Sequence, residues 1–228
     1  MIQTILRKSR GKNCFKSGIQ YQHSIYEKLK HVTINHEPCT VEEVKGAKDG
    51  PDIILHHNDL RIGFEIKRKT AFEGGSKKMS YNGKRLIFQE GSLHDYLLSD
   101  RSIYEGKNLP YYEGKKTIED YLLVKEIFDE DIYIDITNNT MANYYKRTGV
   151  YYIQIEGNGL YHTGDDILQL GVPLFVCNQR LRIRTSKHKK KGIPTDVVGD
   201  INYDKKTLIK SPYDLDHCLP TILQQPEE

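Results

Sequence analysis

The sequence predicts a mixed α/β fold through two different hydrophobic periodicities in one chain. Residues 17–32 place apolar side chains three and four positions apart, which is the spacing of an amphipathic helix. Two apolar runs, Ile53 to Leu55 and Leu60 to Ile66, flank the polar stretch from His56 to Asp59 and predict a β-hairpin with a four-residue loop. At 228 residues the chain can bury a full core as a single domain, and two small domains are possible but not required.

Composition and charge narrow the function classes. Hydrophobic residues make up 37% of the chain and no apolar run is long enough to cross a bilayer, so we expect no membrane partner. The N-terminal residues become basic too early for a secretory signal, and we expect an intracellular protein. The cysteines form no CxxC pair, which argues against a zinc ribbon or a disulfide framework; they are Cys14, Cys39, Cys177 and Cys218.

The first predicted helix carries a polar side chain on its apolar stripe. Ile19, Ile25 and Leu29 mark the stripe, and Gln22 falls between them. A polar group in that position needs a partner, so Gln22 is a candidate functional residue. The segment from Cys39 to Val44 predicts a first strand before the hairpin.

The predicted hairpin gathers charged side chains on one face. Asp52 lies where its first strand begins, and alternation along the second strand points Glu65 and Lys67 away from Phe64 and Ile66. Neighbouring carboxylates repel each other, and burial penalises each charge, unless something binds them. Mg²⁺ accepts one or two carboxylates, keeps several waters and takes phosphate oxygens as further ligands. The set therefore suits phosphodiester hydrolysis.

These residues carry a resemblance to a known family. The dipeptide Pro51-Asp52, a spacer of twelve residues and then Glu65-Ile66-Lys67 resemble the signature of the PD-(D/E)xK nuclease superfamily. The resemblance implies a three-layer α/β/α restriction-endonuclease-like core with a central mixed sheet. It also implies that Asp52, Glu65 and the Ile66 carbonyl hold Mg²⁺, for which Mn²⁺ can substitute. Lys67 would position the attacking water and stabilise the pentacovalent phosphorus.

The contribution of the first helix stays open at this point. The resolvase-like branch of the superfamily has a Glu here, after a Gly four residues earlier and before an aliphatic residue three later. Gly18, Gln22 and Ile25 are similar, but the amide of Gln22 replaces the carboxylate. A neutral amide ligates Mg²⁺ weakly, so Gln22 would instead orient a water. His23 and Glu27 are the other candidates on this helix.

A long insertion is predicted after the ExK strand. Residues 71–130 are rich in Gly, Ser, Lys and Tyr with little periodicity, and they interrupt a core formed by about 17–70 and 131–185. Lys77 and Lys78 make the insertion basic, and its tyrosines add aromatic rings. That mixture suits DNA recognition and suits a dimerisation arm equally well.

Regular elements are predicted again beyond the insertion. A helix should follow Thr117, and another should cover 138–147. Strands are predicted at 131–137, 150–157 and 172–177, and at the segment RLRIRTS that starts at Arg180.

The last of these strands carries a row of cations. Arg180, Arg182 and Arg184 share one face of the strand, and Lys187 opens a basic run behind it. Such a row can contact DNA phosphates, which receive most protein–DNA hydrogen bonds. The alternative is a solubilising edge strand protected by its own charge.

The expected function is that of a Mg²⁺-dependent endonuclease acting on double-stranded DNA. The small size and the insertion resemble a type II restriction endonuclease, a class whose members are usually homodimers. A Holliday-junction resolvase, a homing endonuclease and a cap-snatching RNA endonuclease remain alternatives within the superfamily. From a different class, a non-catalytic DNA-binding protein would keep the fold without the chemistry, and Gln22 in place of Glu favours it.

Overall fold

The structure is a computed structural model that describes residues 17–44, 50–68, 73–99, 101, 104–114, 126, 130–136, 139–187 and 194–224. Its strands are β1 (Thr33–Ile34), β2 (Glu37–Pro38), β3 (Thr40–Glu43), β4 (Ile53–His57), β5 (Leu60–Lys67), β6 (Glu73–Lys78), β7 (Ser80–Tyr81), β8 (Leu86–Ile87), β9 (Ile132–Ile136), β10 (Val150–Ile155), β11 (Gly159–His162), β12 (Gln179–Lys187), β13 (Pro194–Tyr203) and β14 (Leu223–Gln224). Its helices are α1 (17–29), α2 (Leu93–Leu98) and α3 (Asn139–Arg147), with a 3₁₀ turn at Lys205–Thr207.

The chain is mixed α/β with more strand than helix, and it forms two compact units. Unit 1 comprises Met1–Ala71, Tyr145–Phe175 and Leu208–Glu228, and unit 2 comprises Phe72–Tyr144 and Val176–Thr207. None of the described helices is long and apolar enough to span a bilayer.

Unit 1 is built on a five-stranded mixed sheet in the order β11-β10-β5-β4-β3. Strands β4 and β5 form the predicted antiparallel hairpin, with Ile53 opposite Phe64. Strand β10 runs parallel to β5 on its other side, with Ile153 opposite Glu65. The order makes β5 the central strand, so it is paired along both edges. A smaller sheet, β14-β1-β2, completes the unit.

The core of unit 1 lies between this sheet and α1. Ile25 and Leu29 of the helix pack in one cluster with Phe64 and Ile66 of β5, and the Phe64 ring stacks on Tyr152 with centroids 5.2 Å apart. The helical period of α1 and the two-residue period of β5 bury Ile25, Leu29, Phe64 and Ile66 as the sequence predicts, whereas Ile19, at the start of the predicted stripe, is 48% exposed. Alternation leaves the Glu65 side of β5 on the opposite face of the sheet.

The hairpin turn is tighter than the sequence predicts. His56 and His57 pair with Arg61 and Leu60, so the strands continue through both histidines and the loop is only two residues, Asn58 and Asp59. Asn58 has a φ of 51°, a left-handed conformation that asparagine tolerates better than most residues. The expected four-residue loop was wrong because the histidines extend the ladder.

Unit 2 contains a four-stranded antiparallel sheet in the order β6-β13-β12-β9 and the small hairpin β7–β8. Leu181 and Ile183 of β12 are buried on one face. Helix α2 starts at its N-cap, where the Ser92 hydroxyl accepts from the Asp95 amide at 3.1 Å. His94 on this helix is fully buried and lies with Nε2 3.1 Å from the Gly199 carbonyl oxygen.

The two units group the residues differently from the predicted core at about 17–70 and 131–185 and insertion at about 71–130. Strand β6 comes from the predicted insertion, and it joins the same sheet as β9 and β12, which the sequence groups with the core. The segment 172–177 forms only one isolated bridge, at Leu174, and no strand. The helix expected after Thr117 and the N-terminal cations lie almost entirely outside the described residues.

Gly63 of β5 marks a close approach of two backbone segments. A Cβ built on Gly63 would lie 2.2 Å from the Gly149 carbonyl oxygen and 2.8 Å from Cβ of Pro51. We expect Gly63→Ala to lower the free energy of unfolding by about 2–3 kcal/mol through overpacking. Gly18→Ala is the control, because its Cβ meets nothing within 4 Å and helix propensity favours alanine. Urea denaturation measures both, and equal midpoints would contradict the close approach.

Burial of His94 makes the stability of the protein depend on pH. Burial lowers the pKa of His94 to about 4 from the usual 6.5, because the charged ring loses its hydration. The unfolded chain then binds the proton more readily, so stability is complete above pH 6.5 and falls as the pH drops toward 4. We expect a loss of about 2 kcal/mol at pH 5 from this group. Urea midpoints at pH 7 and pH 5 test it, and His94→Gln should flatten the dependence.

Candidate functional site

The predicted site residues meet at one end of the central strand of unit 1. Ladder pairing places Glu65 beside Ile153 and Lys67 beside Ile155 of β10. On the opposite edge of β5, the pairing with β4 ends at Phe64 and Ile53, and Asp52 immediately precedes β4. The end of β5 that holds Glu65 and Lys67 is therefore flanked by β10 on one edge and by Asp52 on the other.

The Asp52 carboxylate lies along the open edge of β5. Its Oδ2 accepts a hydrogen bond from the Ile66 amide at 2.8 Å, and its own amide donates to the Phe64 carbonyl at 2.9 Å. Since the Ile66 nitrogen is bonded to the carbonyl carbon of Glu65, Oδ2 of Asp52 lies within about 5 Å of the Glu65 Cα. The two carboxylate residues are therefore neighbours in space.

The Ile66 carbonyl shares an edge with Asp52. In a strand, the N–H and C=O of one residue point to the same edge, and those of the next residue point to the other. The Ile66 amide points to Asp52, whereas the Lys67 carbonyl accepts from the Glu156 amide on the β10 side at 2.9 Å. The Ile66 carbonyl therefore points to the Asp52 side, where the resemblance requires a third oxygen.

Glu65 and Lys67 form an ion pair on the face opposite α1. Lys67 Nζ contacts Oε1 of Glu65, and the two side chains are only 16% and 10% exposed. Together with Asp52 the three side chains carry one net negative charge in a partly buried position, and such a position attracts a cation. Two carboxylates and a backbone carbonyl are a donor set that suits Mg²⁺, which completes its octahedron with water. In the part of the chain that the structure describes, no group of three or more His, Cys, Asp or Glu residues could hold a metal.

Gln22 reaches the site through backbone atoms. Its Nε2 donates to the carbonyl oxygens of Val44 at 3.1 Å and Asp52 at 3.2 Å. Carbonyl oxygens only accept hydrogen bonds, so the Nε2 atom of Gln22 must face them. The Oε1 atom of Gln22 is then the side-chain atom that could bind a water or a cation. Gln22 thus ties α1 to the ends of β3 and β4, and it holds the backbone of Asp52.

The other candidates on α1 pair away from Asp52. His23 Nδ1 lies 3.2 Å from Oε2 of Glu43 on β3, and the His23 side chain is 55% exposed. Glu27 forms an exposed ion pair with Lys30 on the next turn, and its hydrogen bond from that ammonium lowers the pKa of the carboxyl. Of the three helix candidates, only Gln22 contacts a residue of the carboxylate site in the hydrogen bonds and ion pairs described for them.

Two contacts near the site involve residues that the sequence did not single out. Arg68, directly after Lys67, binds the Glu156 carboxylate with two nitrogen–oxygen contacts of 3.0 and 3.2 Å. Gln154 of β10 is fully buried and donates to the Tyr21 hydroxyl at 3.2 Å and to Asp214 at 2.7 Å. The signals were present: a cation adjoins the ExK motif, and a glutamine interrupts the apolar run of β10.

In unit 2, the arginine row is largely neutralised by neighbouring acids. Arg182 binds Asp131 through Nε at 2.9 Å and Nη2 at 2.5 Å, and Arg184 Nε lies 2.5 Å from Oδ2 of Asp200. Arg180 stacks over the Tyr133 ring, 4.6 Å from its centroid. A guanidinium that already binds a carboxylate presents little net charge to a phosphate. The row is on one face as predicted, but two of its three members have acidic partners.

The lysines of the predicted nucleic-acid surface also lie in unit 2. Lys78 Nζ is 2.8 Å from Oδ2 of Asp196 while its side chain is 78% exposed, and Lys77 lies beside it in β6, half-buried. Lys187 is the last residue of β12, and its side chain and the lysines that follow it fall outside the described residues. The described surface of this sheet is therefore mixed in charge.

Comparison of the chain with protein-family models, with curated proteins and with solved structures found no match.

Gln22 should matter for stability through its two hydrogen bonds. Gln22→Ala removes both, and each is worth about 1 kcal/mol, so we expect the free energy of unfolding to fall by about 1–3 kcal/mol. Gln22→Glu should cost at least as much, because a carboxylate cannot donate to the carbonyls of Val44 and Asp52. Urea midpoints measure both variants. A Gln22→Glu protein as stable as the wild type would contradict the bridging role.

Proposed function

We propose that the protein is a Mg²⁺-dependent endonuclease that hydrolyses phosphodiester bonds in double-stranded DNA. The observation that carries the proposal is the hydrogen bond from the Ile66 amide to the Asp52 carboxylate. It supports a site in which Asp52, Glu65, the Ile66 carbonyl and Lys67 act together at the end of β5. That grouping could have failed if Asp52 had lain on a distant strand.

The same contacts support the proposal that unit 1 is a restriction-endonuclease-like core. Helix α1 covers one face of a mixed sheet, and the acidic residues lie on adjoining segments at the end of its central strand. Strand β5 has an antiparallel neighbour, β4, and a parallel neighbour, β10, which agrees with the central mixed sheet that the PD-(D/E)xK resemblance implies. Within that class we favour a sequence-specific type II enzyme acting as a homodimer.

Asp52, Glu65 and the Ile66 carbonyl would hold the cation. When bound, Mg²⁺ lowers the pKa of water near the phosphate and neutralises charge that develops on the phosphate oxygens. The chain supplies the rest. Asp52 and Glu65 orient the site because backbone and ion-pair contacts fix both carboxylates.

The ion pair of Lys67 with Glu65 suggests the role of the Lys67 ammonium. In the absence of other cations its ammonium compensates the Glu65 carboxylate, which reduces the cost of keeping that carboxylate nine-tenths buried. The same ammonium, with three donors on a flexible stem, can hydrogen-bond a water or a phosphate oxygen. Lys67 therefore positions the attacking water and offsets the negative charge of the pentacovalent phosphorus.

Removing either carboxylate or the ammonium should abolish cleavage while DNA binding persists. We expect Asp52→Asn, Glu65→Gln and Lys67→Met each to lower the cleavage rate by about 10³-fold or more, as losses of electrostatic groups do. Digestion of supercoiled plasmid with Mg²⁺ measures the rate, and a gel-shift assay measures binding. Discrete fragments would support sequence recognition, whereas cleavage of four-way junctions alone would indicate a resolvase.

Matched controls come from exposed acids of the same sheet. Asp59→Asn changes an exposed residue in the turn of the hairpin, and Glu42→Gln changes a side chain that is 63% exposed on β3. Both should cleave at the wild-type rate. Wild-type cleavage by Asp52→Asn or Lys67→Met would refute the assignment of the site.

A further inference from the structure

We propose that Arg68 and Glu156 are positioning residues that hold Lys67 in place for hydrolysis, an inference that rests on the proposed function. The two side chains join the ends of β5 and β10, directly beyond Lys67 and Ile155. We call this pair the Arg68–Glu156 clamp. Neither residue belongs to the metal-binding set, and their effect on the reaction passes through the backbone of Lys67.

The backbone contact comes first. Strand β5 ends at Lys67, strand β10 ends at Ile155, and these two residues are register partners in the parallel ladder. The Glu156 amide donates to the Lys67 carbonyl at 2.9 Å. Hydrogen bonds at the ends of strands open more readily than those in the middle, so this one needs support if Lys67 is to keep its place.

The side chains supply that support. Arg68 Nε lies 3.0 Å from Oε2 of Glu156, and Nη2 lies 3.2 Å from Oε1, so the guanidinium and the carboxylate meet at two points. A two-point contact fixes orientation as well as distance, which a single ammonium cannot do. The residue after Lys67 is thereby tied to the residue whose amide binds Lys67.

The clamp lies on the side of the sheet away from the Lys67 ammonium. Consecutive side chains alternate along a strand, so Arg68 leaves β5 toward α1. Gln154 of β10 donates to the Tyr21 hydroxyl on α1 at 3.2 Å, and Glu156 lies two residues further along, so alternation puts it on the same side. The clamp therefore does not face the carboxylate site. The clamp fixes the position of the Lys67 backbone. The backbone position in turn limits where the Lys67 ammonium can lie relative to Glu65.

The clamp matters for the proposed reaction because the rate depends strongly on the distance between the catalytic groups and the reacting atoms. Displacement of a catalytic group by about 1 Å can reduce the rate by about 100-fold. Lys67 reaches Glu65 through four flexible methylenes, so a loose backbone widens the range of positions that its ammonium visits. Loss of the clamp should therefore lower kcat with little effect on KM, because the clamp acts through the Lys67 backbone from the opposite side of the sheet.

The test uses the full chain and seven variants. We expect Arg68→Gln and Glu156→Gln to lower kcat by about tenfold or more, and Arg68→Lys to recover only part of it because it restores charge without the two-point contact. The double exchange Arg68→Glu with Glu156→Arg rebuilds the ion pair. Its kcat should exceed the kcat of either single reversal, Arg68→Glu or Glu156→Arg. Lys146→Gln is the control, because it breaks an ion pair of 2.6 Å with Asp165 elsewhere in unit 1 and should leave kcat unchanged.

A second measurement does not depend on cleavage. Hydrogen exchange followed by NMR should show that the Glu156 amide loses about tenfold or more of its protection in Arg68→Gln, while the amides at the middle of β10 keep theirs. If the wild type cuts no DNA but this protection falls, the proposed function fails and the clamp itself stands.

Three results would overturn the inference. One is unchanged protection of the Glu156 amide in Arg68→Gln. Another is a rise in KM at constant kcat, which would make Arg68 a DNA-binding residue. The third is a double exchange that is no better than either single reversal.

Discussion

One hydrogen bond, from the Ile66 amide to the Asp52 carboxylate, brings Asp52 beside Glu65 and Lys67 at the end of the central strand. Strand β4 begins at Ile53, one residue after Asp52, and its pairing with β5 stops at Phe64. Beyond Phe64, the edge of β5 would be open if the Asp52 carboxylate did not bind the Ile66 amide. The carboxylate covers that edge and is itself fixed. Asp52 thus caps the open edge of β5 and brings its carboxylate beside the Glu65 backbone at the end of the central strand.

The surrounding contacts act on backbone atoms. Gln22 donates to the Asp52 carbonyl, and the Glu156 amide donates to the Lys67 carbonyl. A fixed backbone restricts the positions that the whole side chain can reach, whereas a contact at the tip of a side chain restricts only that tip. We therefore expect the geometry around Asp52 and Lys67 to respond less to changes of surface charge than to small changes in the strands, such as a Cβ at Gly63.

Hydrophobic periodicity in the sequence predicted the elements that short stretches of the chain determine by themselves. Helix α1, the β4–β5 hairpin and strand β10 follow from periodicity, and the alternation of Phe64 and Glu65 follows with them. The partners of Arg182 and Arg184 were not predictable, because Asp131 and Asp200 reach them only through strand pairing across a long separation in sequence. Strand β6 was missed for the same reason, since EGGSKK has no apolar alternation and pairs only because β13 is there.

The parallel pairing of β5 and β10 has a consequence for how such a protein can evolve. Two parallel neighbours require the chain to travel back along the sheet before the second strand starts, and here the residues of the return path also build most of unit 2. The length and content of a return path are free as long as its ends stay where they are. Recombination or drift within that stretch can therefore change unit 2 while the arrangement of Asp52, Glu65 and Lys67 stays as it is.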